Sequence, residues 1–204
     1  MNSFSSVSLF EEKMAHFCGS KYGVAVASCT DALFLSFKYR KARHVIFPAR
    51  TYISAVFSAM HAGATIDFDD IEWSGAYKLE PYDVIDSAGR LNRGMYQGGL
   101  HCVSFHARKI IPIGRGGMIL TDDEKAYKWF RKARFDGRNP EVPFKEDDVE
   151  SDGWNCYMTP EQASRGLQLL EGLKPDLPDA YSSRDYPDLR EMTIFKKMKL
   201  YVVA

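Results

Sequence analysis

Apolar residues near the start of the chain recur at helical spacing: Leu9, Phe10, Met14 and Phe17 follow a Ser8-Leu9-Phe10-Glu11 of capping-box form. Gly19 and Gly23 bracket the exit of this first predicted helix. The period then changes. "VAVAS" (24–28) is short, partly β-branched and unbroken by polar residues, the pattern of a strand buried on both faces. "TDALFLSFKYR" returns to helical spacing, with Cys29 or Thr30 near its start. "HVIFP" (44–48) predicts a strand, "TYISAVFSAMHAG" (51–63) a helix closed by Gly63, and "ATIDFDD" (64–70) a strand. Three more strands are predicted in "YDVIDSA" (82–88), "LHCVSF" (100–105) and "GMILTDD" (117–123), followed by a charged helix over 122–137. Strands alternating with helices of about a dozen residues predict an α/β fold, three αβα layers with a mostly parallel sheet.

The remainder is less regular. Residues 138–153, polar, acidic and proline-bearing, predict a long surface loop. "TPEQASRGLQLLEGL" (159–173) predicts a helix with Thr159 as N-cap, Pro160 at N1 and Gln162 completing a capping box. The segment after Lys174 carries three prolines and reads as irregular, with a short helix near 188–198. No internal repeat or low-complexity segment occurs.

Composition narrows the classes. The 204 residues are 45% hydrophobic and 26% charged, ordinary for one well-buried core. Twenty-seven basic residues balance 27 acidic ones, so no global excess points to nucleic acid or to a basic partner. Cys18, Cys29, Cys102 and Cys156 form no C-x-x-C pair and read as reduced thiols of a cytoplasmic protein. No signal-peptide pattern is expected at the N-terminus, and no apolar run approaches the roughly 20 residues of a membrane span. Lys125, Lys128, Arg131, Lys132 and Arg134 cluster with Trp129 and Phe130 on one predicted helix. The zero net charge favours a solvated face with its aromatics packed inward over a nucleic-acid surface.

In α/β sheets, ligands bind beyond the carboxyl ends of the parallel strands. Here those ends carry Ser28-Cys29-Thr30, Pro48 through Tyr52, Asp86-Ser87-Ala88, and Ser104 through Lys109. Together they offer hydroxyls at a helix N-terminus, an aromatic ring, a carboxylate and a lysine, the set that pyridoxal phosphate (PLP) requires. A lysine amine holds this cofactor as a Schiff base and then shuttles a proton. A carboxylate, for which Asp86 is suited, keeps the pyridine nitrogen protonated. Backbone N–H groups and hydroxyls near Cys29, Thr30 and Ser104 take the phosphate, and Tyr52 offers a ring to stack. Singly, each has a plainer reading: a solvated turn lysine, a turn-forming aspartate, helix-capping hydroxyls, a half-buried tyrosine. "GRGG" (114–117) is no dinucleotide fingerprint, because it leads into a strand.

Five segments in order resemble the DegT/DnrJ/EryC1/StrS group of PLP-dependent sugar aminotransferases: "SCTDALFLSF", "VIFPARTYISAVFSAMHAGATIDFDD", "VIDSAG", "SFHARKIIPIGRGGMILT" and "GWNCYMTPEQASRGLQLL". The resemblance spans roughly residues 8 to 173. It implies the large domain of the aspartate aminotransferase-like fold, with a PLP-binding α/β domain over 1–173. Residues 174–204 would be a short C-terminal remnant, the small domain being largely missing. It further implies Lys109 as the Schiff-base lysine, Asp86 at the pyridine nitrogen, and Ser104 with Cys29 and Thr30 at the phosphate. Tyr52 would lie against the ring, and Asn155 would reach the phosphate site of a neighbouring subunit in a homodimer. The reaction implied is transfer of an amino group, from glutamate, to a keto group of a nucleotide-linked sugar or similar small molecule. A sugar dehydratase, in which histidine replaces that lysine, and a non-catalytic binding or assembly relative are the alternatives. Departures from the family pattern are Cys29 for glycine, Ile85 for glutamate, Gly89 for histidine or glutamine, Arg115 for glutamate and Tyr157 for arginine. The chain between Asp70 and Asp86 is also too short for the helix and strand that the family carries there.

Overall fold

In a computed structural model that describes residues 4–202, seven strands and six α-helices follow one another along the chain. They are α1 (Ser5–Cys18), β1 (Tyr22–Val26), α2 (Cys29–Tyr39), β2 (His44–Pro48), α3 (Ile53–His61), β3 (Thr65–Asp69), β4 (Tyr77–Leu79), β5 (Val84–Asp86), β6 (Leu100–Ser104), β7 (Gly117–Thr121), α4 (Glu124–Ala133), α5 (Pro160–Glu171) and α6 (Thr193–Val202). Every strand expected from the sequence is present, shifted by at most two residues at its start.

The sheet is mixed. Five strands hydrogen-bond in the order β1-β7-β6-β5-β4, and β2 and β3 form a separate parallel pair. Only β5 and β6 pair in parallel within the larger sheet; β1–β7, β6–β7 and β4–β5 are antiparallel. The mostly parallel sheet expected from the alternation of elements is therefore corrected in its pairing. The physical reason lies in two connections that carry no crossover helix. The 105–116 loop returns β7 beside β6, and a tight turn through the cis Glu80–Pro81 bond returns β5 beside β4. A bridge between Ile46 and Glu80 joins the two sheets. β1, β2, β3, β5 and β6 thus run one way while β4 and β7 run the other.

Side chains alternate between two cores, as strand geometry requires. Val24, Val26, Cys102 and Ile119 face α2, α3 and α4, with Leu33, Leu35, Phe37, Val56 and Phe130. Ala25, Val103, Met118 and Leu120 face α1 and α5, with Phe10, Met14, Phe17 and Ala163. These are the helix–sheet–helix layers of an α/β fold.

Two caps contrast. Thr159 and Gln162 form the expected capping box of α5. Ser8 and Glu11 do not cap α1, which begins at Ser5; instead the Glu11 carboxylate is buried, accepting from the Ala25 amide (2.8 Å) and from the Arg134 guanidinium. The basic helix α4 buries Phe130, and three of its cations pair with acids: Lys128 with Glu124, Arg131 with Glu141, Lys132 with Glu150. All four cysteines are free, and burial pushes the Cys18 thiol up to about 12. Among the described residues no helix is long and apolar enough to cross a membrane, and no three metal-ligating side chains converge.

Candidate active site

Strand direction gathers the site. The carboxyl ends of β1, β2, β5 and β6 and the amino ends of the reversed β4 and β7 meet at one edge of the sheet. There they enclose a cavity of about 350 Å³. Cys29, Thr30, Tyr52, Asp86, Ser104 and Lys109 all line it; Asn155 does not. Asn155 is exposed beyond the end of α4, where its side-chain amide donates to Asp136 (3.2 Å).

Asp86 closes β5 and is 5% exposed. Tyr77, its cross-strand partner in β4, donates its phenol proton to Oδ2 (2.7 Å), and the Ala88 amide donates to Oδ1 (2.9 Å). Burial raises the carboxyl above the usual range, against the lowering by these two bonds and by Lys109. Lys109 is half-buried on the loop after β6, its Nζ 4.0 Å from the centre of the Tyr181 ring. Burial lowers its amine below the ordinary lysine value, while Asp86 and Cys29 oppose the change. A lowered lysine and a raised carboxylate facing one cavity are the perturbations expected of reactive groups.

The opposite wall is the start of α2. Ser28 caps it, accepting from the Asp31 amide (3.1 Å), and the Thr30 hydroxyl shares a hydrogen bond with Ser54 (2.8 Å). The Cys29 side chain does not crowd this turn. Its thiol donates to the Cys102 carbonyl (3.5 Å), and Ser28, Cys29 and Thr30 line the cavity. β7 approaches this turn so closely that a Cβ at Gly117 would collide with the Ser28 carbonyl carbon and the Cys29 nitrogen.

Four further features shape the cavity. Tyr77 and Thr51 form a buried hydrogen-bonded chain behind Asp86, with 2.6 Å between their hydroxyl oxygens. Trp73, Tyr181 and Tyr186 join Tyr52 in an aromatic rim; Tyr52 itself is 61% exposed, its ring 6.3 Å from that of Tyr186. Burial pushes the Tyr186 phenol up to about 12. The tail that brings Tyr181 is bonded into the body: Ala180 N donates to Gly89 O (2.8 Å) and Gly75 N to Tyr181 O (2.8 Å). Arg108 and Arg115 also line the mouth, and the Arg115 guanidinium donates to Ala27 O (3.3 Å), beside the α2 turn. The alternating "AYKL" (76–79), buried at Tyr77 and Leu79 and exposed at Lys78, was the available signal for β4. No local pattern announces the tail contacts.

The opposite face of β4–β6 opens on a larger groove of about 840 Å³, where several polar groups are already engaged. Arg90 is bidentate on Asp179 (2.8 and 2.7 Å), and Ser87 and His101 hydrogen-bond each other (3.1 Å). The chemistry therefore concentrates in the smaller cavity. Its donor set fits PLP: an amine of lowered basicity, a buried carboxylate for a ring nitrogen, and hydroxyls with a helix N-terminus for a phosphate.

Comparison with known proteins places the chain among aminotransferases by sequence and fold. The model of the "DegT/DnrJ/EryC1/StrS aminotransferase family" matches residues 1–86 and 83–177. The spore coat polysaccharide biosynthesis protein SpsC of Bacillus subtilis is 28% identical over 82% of this chain and 57% of its own length. GDP-perosamine synthase of Caulobacter vibrioides is 29% identical over 79% and 55%. The chain thus spans under three-fifths of the length of these curated relatives. Among solved structures, a DegT DnrJ EryC1 StrS aminotransferase from Brucella abortus superposes with a TM-score of 0.70 at 20% identity, covering 82% of this chain and 58% of that one. AtS13 from Actinomadura melliaura gives 0.72 at 19% identity, covering 82% and 60%. These superpositions carry the fold.

Proposed function

Because the chain belongs to the DegT/DnrJ/EryC1/StrS aminotransferase family, we propose that it binds PLP in the 350 Å³ cavity and transfers an amino group from glutamate to a keto group of a nucleotide-linked sugar or similar small molecule. The observation that carries this reading is Lys109 and Asp86 facing one cavity, each displaced from its ordinary basicity by burial. Bound PLP would supply an electron sink for the carbon that loses or gains the amino group.

The residues of this chain have separable tasks. Lys109 holds the cofactor covalently and, when released, moves a proton at Nζ; lowered basicity leaves more of it as the free amine near neutral pH. Asp86, as an anion, would hold the protonated ring nitrogen. The backbone amides of Cys29 and Thr30, the Thr30 hydroxyl and Ser104 take the phosphate, with charge favourably placed at the α2 N-terminus. Tyr52, exposed at the cavity, would offer its ring to the cofactor from that side. Arg108 and Arg115 give the mouth positive charge, which supports an anionic acceptor such as a nucleotide-linked sugar. Asn155, exposed and outside its own cavity, would serve a neighbouring subunit's phosphate in a homodimer by exchanging its bond to Asp136.

The test is a titration of the full chain with PLP. A visible absorbance band is expected, borohydride is expected to fix the cofactor to Lys109 in the peptide map, and glutamate is expected to discharge the band with release of 2-oxoglutarate. Lys109→Ala is expected to abolish the band. A band that survives this substitution, or a map that places the cofactor on another lysine, would refute the assignment.

A further inference from the structure

We propose that Tyr77 is a positioning residue for the cofactor: through its hydrogen bond to Asp86 it fixes the carboxylate that faces the ring nitrogen and keeps it anionic. The inference rests on the PLP reading above and adds a residue that stands outside the motifs of the resemblance. Tyr77 lies on β4, within the short 70–86 connection where this chain departs from the family pattern.

The geometry is tightly determined. Tyr77 and Asp86 are directly opposed in the β4–β5 ladder, so their side chains share one face. A phenol has one proton, and Tyr77 gives it to Asp86 Oδ2 at 2.7 Å. The 2.6 Å contact with Thr51 must then be donated by the threonine hydroxyl to the phenol oxygen. Thr51, Tyr77 and Asp86 are 2%, 7% and 5% exposed, so water does not stand in for any member. A buried chain of this kind polarises in one direction, Thr51 to Tyr77 to Asp86, and delivers its donor to the anion.

The other groups facing Asp86 do not do the same. Lys109, on the loop after β6, stabilises the anion by charge but is the group that must leave and return. Cys29 on α2, Cys102 on β6 and Tyr186 in the tail sit close enough for Asp86 to raise their own titration, and they stay protonated. The Ala88 amide binds Oδ1. Tyr77 is thus the side-chain donor to Asp86 among the described residues, and without it a buried oxygen loses its partner.

The experiment compares two ligands in the full chain: PLP, and its carbocyclic analogue in which a C–H replaces the ring nitrogen. Tyr77→Phe keeps the ring and removes the donor. Its expected effect is a loss of PLP affinity of roughly tenfold, with affinity for the analogue unchanged. The Asp86 carboxyl, followed by carbon NMR in the cofactor-free protein, should titrate at higher pH in the variant. Thr51→Val, which leaves the Tyr77–Asp86 bond in place, should shift both readouts in the same direction by less, and it tests the chain should Tyr77→Phe fail to fold. Equal loss for both ligands would make Tyr77 a purely structural residue and overturn the proposal, as would an unchanged Asp86 titration. An unsubstituted chain that binds the analogue as tightly as PLP would instead overturn the role of Asp86. A chain that binds neither would overturn the PLP reading itself.

Discussion

Asp86 meets two opposed demands, to be buried where a ring nitrogen can reach it and to remain charged there. Burial lifts its carboxyl above the usual range despite the bonds from Tyr77 and Ala88 and the charge of Lys109. A carboxyl whose folded-state pKa lies above its unfolded value contributes stability that is fully present below the unfolded pKa. That contribution is lost as the pH rises through the folded-state value. Asp86→Asn has no such loss, because the amide does not ionise. Urea melts of the cofactor-free protein should therefore show the variant gaining on the parent as pH rises from the acid carboxylate range toward neutrality. The same variant should bind PLP poorly, since a neutral amide does not hold a protonated pyridine. A stability gap running the other way with pH would mean that the hydrogen bonds outweigh burial and that the carboxyl is depressed.

At the scale of elements, the two reversed strands bring the site its least replaceable contacts. β4 presents Tyr77 from its amino end, and β7 presses Gly117 against the first turn of α2. Since a Cβ at Gly117 meets backbone, Gly117→Ala must push strand and helix apart. A loss of about 1–3 kcal/mol is expected in denaturant melts, together with weaker binding of PLP, because the turn that would hold its phosphate moves. Legibility in the sequence followed the range of the cause. Thr159 and Gln162 stand three residues apart and announced their cap, whereas Glu11 resembled a cap and is consumed by Arg134, 123 residues later. The strand ends carrying Cys29, Thr30, Tyr52, Asp86, Ser104 and Lys109 could be read because parallel strands point their ends one way. β4 is three residues long, so its buried–exposed–buried alternation is too brief to stand out, and its pairing with β5 is what establishes it. The reversal of β7 was likewise hidden, since a buried strand reads alike in either direction.

For the molecule as a whole, three distant segments are tied together above the cavity. Gly75 O accepts from Gly89 N (3.0 Å), Gly89 O accepts from Ala180 N (2.8 Å), and Tyr181 O accepts from Gly75 N (2.8 Å). This ring of backbone bonds holds the tail so that the Tyr181 ring covers Lys109, while the Tyr181 hydroxyl donates to Arg108 O (3.0 Å). It also explains why position 89, where the resembled family usually carries histidine or glutamine, is glycine here. A Cβ at residue 89 would stand 3.0 Å from Gly75 O, 3.2 Å from Gly75 Cα and 3.3 Å from Tyr181 O, all backbone atoms. Gly89→His, which restores the family residue, should therefore displace the tail. Amide exchange at Gly75 and Ala180 should accelerate together, and Lys109 should become more accessible to an amine-modifying reagent. Gly89→Ala, which adds the Cβ alone, should give the same pattern more weakly. If both amides stayed protected in Gly89→His, the tail would owe its place to the aromatic rim of Trp73, Tyr181 and Tyr186 instead. In that case Tyr186→Ala, which leaves the backbone ring intact, should be the substitution that uncovers Lys109.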